Sequence, residues 1–321
     1  MKILIAFDGS ESSEIAIADL ERSGLPMVVD ATVMTVTEFA LLPTTPANFE
    51  LVASAVGGHY PAQVFQEEQD WSTARISETL ALADRGAILL RERFPHWRIA
   101  TEACAGSPSS QILKRTQDRS PDLVVVGSHD RSRLGRFFLG SVSQRVVRDA
   151  AAPVRVGRAR HGTDPHRLRI VVGDDGSADA DDVLSCVAAR RWPPRTEVRV
   201  VRVLQSIPLY ELSELTPAVT DWMATSDCES RRKAFDRLDR EVERLRGEGL
   251  SAEGVVADGD PRSVLVDEAE SWKADSIFVG ARGLDRVEQL LLGSVSSAVV
   301  LRAPCSVEVV RPRGSNAERR N

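Results

Sequence analysis

Cysteine is scarce and scattered. Cys104, Cys186, Cys228 and Cys305 stand far apart with no C-x-x-C pair. That excludes a disulfide scaffold, argues against a zinc site, and reads as small buried hydrophobes or free thiols in a reducing compartment, the cytoplasm. No apolar run approaches the length of a membrane span, so no membrane partner is expected. The opening MKILIAF is too short, and Asp8 follows too soon, for a signal peptide. Base is not in surplus: Lys and Arg number 41 against 47 Asp and Glu, for a net charge of −6. The basic residues are also dispersed, which argues against general nucleic-acid binding. There is no G-x-x-x-x-G-K-[ST] loop, no G-x-S-x-G elbow and no H-E-x-x-H helix. Nothing supplies a catalytic residue or a general base for fast hydrolysis.

What is present is an ordinary globular composition, 42% apolar and 27% charged, over 321 residues, enough for two domains with proper cores. The chain repeats itself. Lys2 to Phe7 is a buried-strand run ending at Asp8-Gly9-Ser10; Ile170 to Gly173 leads in the same way to Asp174-Asp175-Gly176-Ser177. Ser10 or Asp8 caps a helix whose expected core contacts are Ile15, Ala18 and Leu20. Asp174, standing where the first half has Phe7, reads as a solvated turn residue. A long helix from Ala62 to Phe94, loosened at Gly86, corresponds to one from Ala218 to Arg246. Asp8 and Asp175 stand 167 residues apart and Gly127 and Gly280 153 apart, so the first half holds 14 more residues, placed in the Pro- and Gly-bearing loop from Leu41 to Pro61.

Each half reads β-α-β-α-β-α-β-α-β, which predicts an α/β fold of two tandem five-stranded parallel-sheet domains. The boundaries drawn are 1–158, a polar linker 159–167 within the run from Gly157 to Arg167, 168–312, and a disordered tail 313–321. The short β-branched ends Val154–Val156 and Val307–Val310 are expected to pair within the chain, each otherwise being an open edge.

The fourth strand of each half ends at a glycine. The stretch 279–296, VGARGLDRVEQLLLGSVS, and its twin 126–143, VGSHDRSRLGRFFLGSVS, both close on Leu-Gly-Ser-Val-Ser at a helix start. Glycines admit close backbone approach, and a helix N-terminus with free N–H groups suits a phosphate. His129 beside Asp130 carries no catalytic reading, because neighbours seldom form a working pair and no nucleophile is placed for them.

The spacing G-x-x-G-x₉-G-[ST] resembles the nucleotide-binding signature of the universal stress protein family, and the resemblance covers nearly the whole chain. Gly280, Gly283, Gly293 and Ser294 match it fully. In the upstream copy Gly127, Gly140 and Ser141 match, but Asp130 replaces the second glycine. The resemblance implies a Rossmann-like, adenine nucleotide alpha-hydrolase-like fold and an adenine nucleotide as ligand, ATP with or without Mg²⁺. It places Val279, Val295 and Ser296 in the second cradle, with Asp175 beside adenine and ribose and the Val203 backbone on the adenine edge. Arg282 and Arg286 lie in the crossing loop, where they could neutralise phosphate. In the first half it places Asp8, Val126, Val142 and Ser143 correspondingly. It implies a stress-response or signalling role, with the two halves as an internal pseudo-dimer; a further homodimer stays open. The second half is expected to be the better site, since the Asp130 carboxylate would face the phosphates. A slow ATPase and a nucleotide-free scaffold are the rival readings.

Overall fold

Five strands form in each half. They are β1 (Lys2–Ala6), β2 (Asp30–Thr37), β3 (Arg98–Ala105), β4 (Leu123–Gly127) and β5 (Val154–Gly157), then β6 (Arg169–Asp174), β7 (Glu197–Leu204), β8 (Ser251–Asp258), β9 (Ser276–Gly280) and β10 (Ser306–Val310). The central ones are β-branched runs that suit a pleat covered on both faces, while the edge strands β3 and β8 are more mixed and more exposed. The helices are α1 (Glu11–Asp19), α2 (Ala62–Arg93), α3 (Pro108–Arg119) and α4 (Ser141–Asp149), then α5 (Ala178–Ala188), α6 (Pro217–Gly247), α7 (Pro261–Ser271) and α8 (Ser294–Arg302). The structure is a computed structural model that describes residues 1–38, 62–128, 139–159, 167–204, 217–283 and 292–312. The expectations for the loop 41–61 and the tail 313–321 lie outside those residues.

The strands form one sheet in the order β3-β2-β1-β4-β5-β10-β9-β6-β7-β8. Every pairing is parallel except β5 with β10, where Val156 faces Val307, Arg155 faces Glu308 and Val154 faces Val309. In each half the first strand lies between the second and the fourth, so the strand order reverses beside β1 and β6. A ligand crevice is expected at the carboxyl ends of such strands.

One face of the sheet carries a single apolar cluster that runs across the β5–β10 seam, from Val124 and Val146 to Val299 and Ile277. On the other face α1 and α2 cover one cluster while α5 and α6 cover another. On α1 the buried stripe is Ser13, Ala16 and Ile17, continued by Leu20, rather than Ile15 and Ala18. Ser10 caps this helix and fixes its start, and the stripe one residue away from the expected one then faces the sheet. Nor does Gly86 loosen α2, which runs unbroken. A Cβ there would lie 2.9 Å from the Phe7 ring and 3.0 Å from Val33, so glycine lets the helix lie close to β1 and β2.

Gly157 and Arg158 are not linker. Gly157 ends β5, and Arg158 is buried, donating across the seam to the Val300 carbonyl in the last turn of α8 and to the Cys305 carbonyl beyond it. Arg311 makes the reciprocal crossing to the Val147 carbonyl in the last turn of α4 and to the Ala152 carbonyl beyond it. Each arginine thereby satisfies late carbonyls of a helix in the other half. Burial pushes both guanidinium groups down to about 10. Among the described residues no helix is long and apolar enough to cross a membrane.

Candidate functional site

Both fourth strands run into a helix that starts without a side-chain cap. The first residues outside α4 and α8 are Gly140 and Gly293, with φ −62° and ψ near 155° in each, and neither can offer a capping oxygen. The first intrahelical bonds close at Gln144 and Ser297. The N–H groups of 141–143 and 294–296 thus have no helical partner and lie at the positive end of the helix dipole. Ser141 and Ser294 are the first helical residues, not the caps, and both are exposed.

Ser143 and Ser296 behave differently from the solvent-facing or ligand-facing hydroxyls expected. Both are buried, and their hydroxyls donate to the Gly127 and Gly280 carbonyls, at 2.7 Å and 2.5 Å. They clamp the helix start to the strand end instead of offering a proton to a ligand. Val142 and Val295 are partly buried against the core beside them, and Val126 and Val279 are core residues of β4 and β9.

In the first half these elements wall a cavity of about 540 Å³, whose lining includes Asp8, Val36, Val126, Gly127, Gly140 and Ser141. A volume of that order suits a nucleoside-sized ligand. Asp8 accepts from the Ser10 amide at 3.0 Å and from its hydroxyl at 2.5 Å. Burial pushes its carboxyl up, but the Ser10 hydrogen bonds outweigh this and hold it below the ordinary value. Asp130 and His129 lie outside the described residues.

The second half assembles the glycine turn tightly. A Cβ at Gly283 would lie 2.8 Å from the Asp175 carboxylate, and one at Gly280 would lie 3.0 Å from the Asp179 Cβ. Gly293 donates to the Ala281 carbonyl at 2.8 Å, closing the turn on the helix start. Asp175 thus reaches the turn while also accepting from Ser177 N–H at 2.9 Å, and Ser177 caps α5. Arg282 is committed to Asp179, with backbone N–H and Nε 3.2 and 3.3 Å from one carboxylate oxygen. Arg286 lies outside the described residues. Val203 pairs with Ala257 near the end of β7 and is partly buried.

Asp174 is no solvated turn residue. It is buried and ion-paired with Arg202 at 2.8 Å, and it accepts from the Gly176 amide at 2.9 Å. Arg202 also donates to the Asp175 carbonyl at 3.1 Å. In the first half the same positions hold Phe7 and Thr35, joined by one hydroxyl-to-carbonyl bond of 2.8 Å. The second half therefore braces its strand-to-helix turn with an ion pair where the first uses a single hydroxyl-to-carbonyl hydrogen bond. Sequence reading missed Arg202 and Asp179; the signal was a second acid beside Asp175, which needs a base once it is buried.

The sequence model of the universal stress protein family matches residues 1–158 and 166–311. Universal stress protein Rv2005c of Mycobacterium tuberculosis is 33% identical over 193 residues, which is 59% of this chain. The chain spans 62% of that relative's length. A universal stress protein of Thermus aquaticus is 30% identical over 148 residues, 44% of this chain and 97% of its own. Among solved structures, a universal stress protein from Archaeoglobus fulgidus covers 98% of this chain and 97% of its own at 20% identity, with a TM-score of 0.54, a likeness of fold. Because the match takes in both halves, on a sheet whose two glycine cradles repeat, the chain belongs to the universal stress protein family as a tandem member.

Proposed function

We propose that the chain binds ATP, with or without Mg²⁺, at the helix starts of its two halves, and works in nucleotide-dependent stress response or signalling in the cytoplasm. The halves, 1–158 and 168–312 joined through 159–167, act as an internal pseudo-dimer, and the second holds the tighter site. The observation that carries the reading is the uncapped start of α8. Three backbone N–H groups and the exposed Ser294 hydroxyl stand there beside the Gly280–Gly283 turn that Asp175 touches. An oligophosphate would satisfy those donors, and adenine would lie toward Asp175 and Val203.

Mass spectrometry of small molecules released from a native preparation tests the reading. ATP in the release supports it. AMP or ADP alone favours an enzyme, and no nucleotide favours a scaffold. A sharper test uses Ser294→Asp, since an acid in the first turn suits the helix dipole yet repels phosphate. Two unit charges roughly 5 Å apart at an effective dielectric of about 20 cost about 3 kcal/mol, which is on the order of a hundredfold in affinity. The variant should melt no lower than wild type and lose calorimetric ATP binding at the second site. Retained affinity would remove the α8 start from the site. Gly293→Val is a poorer probe, because its Cβ would press within 3.3 Å of the Ala281 carbonyl whatever the ligand.

A further inference from the structure

On the face of the seam covered by α1 and α5, side chains form a row of alternating charge. Arg22 pairs with Asp19 at 3.1 Å, Asp19 with Arg155 at 2.6 Å, Arg155 with Glu308 at 3.3 Å, and Glu308 with Arg190. Asp19, Arg155 and Glu308 have fully buried side chains. Arg155 also donates to the Ser276 hydroxyl at 3.0 Å, and Arg190 to the Ser23 carbonyl at 2.6 Å. Burial disfavours the Arg155 charge, but Asp19 and Glu308 outweigh it and raise its pKa above the ordinary value.

Arg155 and Glu308 face each other in the antiparallel register, and they stand as far apart in sequence as Gly127 and Gly280. They are one position of the repeat, met by its own counterpart at the local two-fold axis. Three residues on, the position is arginine in both halves, Arg158 and Arg311, and serves both equally. The axial position cannot do this. From the first half the signs run plus, minus, plus to the axis, and from the second plus, minus. Two first halves would bury Arg155 against Arg155, and two second halves would bury Glu308 against Glu308. Like charges without water between them are strongly repulsive, so only unlike halves keep the alternation.

We propose that the seam is a docking surface selective for the unlike half: the β5 edge accepts the second half of this chain, which carries a carboxylate at the axial position, and rejects another first half. This rests on the reading of the two halves as an internal pair. The test uses two full-length variants, Arg155→Glu and Glu308→Arg. Each sets like charges at its own axis. In an equimolar mixture, the unaltered first half of one chain meets the unaltered second half of the other.

Each variant alone should lose amide exchange protection at 154–157 and 306–310 and form no stable dimer. The mixture should give a 1:1 complex by size exclusion with light scattering and regain protection. Wild-type protection in either variant alone, equal self-dimerisation of either, or no complex on mixing would each overturn the proposal. Arg155→Met with Glu308→Leu in one chain removes both charges at similar volume and should stay a closed, protected monomer. If it opens, the charges serve folding and not partner choice, and the proposal falls. Unprotected strands in the wild type would remove the pairing reading itself, and the proposal with it.

Discussion

Ser296 and Asp174 show what a single residue can be asked to do once its surroundings are fixed. The Ser296 side chain is buried and its hydroxyl is used up on the Gly280 carbonyl. Ser296→Ala leaves that carbonyl without its side-chain donor, and a loss of about 1–2 kcal/mol is expected in urea melts. Ser294→Ala, at an exposed hydroxyl with no described partner, should cost little stability. The cysteines separate along the same line. Burial pushes the Cys305 thiol up to about 12, while Cys228 is exposed. Iodoacetamide at mildly alkaline pH should therefore label Cys228 in the folded protein and reach Cys305 only after unfolding. The folded state keeps the Cys305 proton from about pH 9 to about pH 12, where the unfolded thiol has lost it. Stability from this group is thus complete below about pH 9 and falls as the pH rises through that window. The isolation of the four cysteines left buried hydrophobe and free thiol both open, and it is the fold that buries Cys104 and Cys305 and exposes Cys228. The burial of Asp174 was not legible either, because its partner Arg202 lies 28 residues on, in the next strand. A sequence does not display a contact across two strands.

At the scale of elements, composition and punctuation carried most of the information. Strand after strand ends at an acid or a glycine where the β-branched run stops, and helix starts at Ser10, Ser177 and Asp260 are capped by the side chains one would choose. What resisted was the meaning of departures from pattern. Gly86 looks like a weak point in a long helix, since glycine there costs about 1 kcal/mol relative to alanine in an open helix. Against the sheet the sign reverses. The added Cβ would meet Phe7 and Val33 at 2.9–3.0 Å, and those side chains belong to a packed core. Gly86→Ala is expected to destabilise by about 1–3 kcal/mol through overpacking. Gly247→Ala, at the last residue of α6 with nothing within 4 Å, should be neutral or slightly stabilising. Thermal melts of the two variants decide between helix propensity and packing; equal shifts would show that Gly86 has room. Arg155 and Glu308 are the same kind of departure. A lone charge in a short apolar strand is an error unless something answers it, and opposite signs at one repeat position were the available signal.

The whole molecule is a pair of halves with the same strand order, and they differ at the axis, where Arg155 meets Glu308, and at the crevices, where Asp174 and Arg202 stand in place of Phe7 and Thr35. The tandem fold was legible because the repeat is written in both the glycine stretches and the strand ends. The differences were legible only where one half departs from the motif, and Asp130 is the case in point. Its structure lies outside the described residues, so its effect rests on charge: a carboxylate stands where the matched motif has no side chain. The second half answers its own acids, with Arg202 on Asp174 and Arg282 on Asp179. The first half has an open cavity of about 540 Å³ and Asp8 held ionised by Ser10. Two unequal sites are therefore expected, the first weaker through repulsion and not through lack of room. In a Ser294→Asp background, which silences the second site, Asp130→Gly should raise ATP affinity at the first. Asp130→Asn should recover part of that gain by removing charge while keeping size. A bridging Mg²⁺ would reverse the order, since a carboxylate can share the metal with the phosphates. Calorimetry on the three proteins, with and without Mg²⁺, separates the cases. A further Ser141→Asp change should abolish whatever binding remains, because it sets a charge at the α4 start as Ser294→Asp does at α8. Equal affinities at position 130 in every condition would mean that its side chain faces away from the phosphates. The inequality of the halves would then have to come from the braced turn at Asp174 and Arg202, which Arg202→Thr, the residue of the first half at that position, would expose as a loss of affinity in the second site alone.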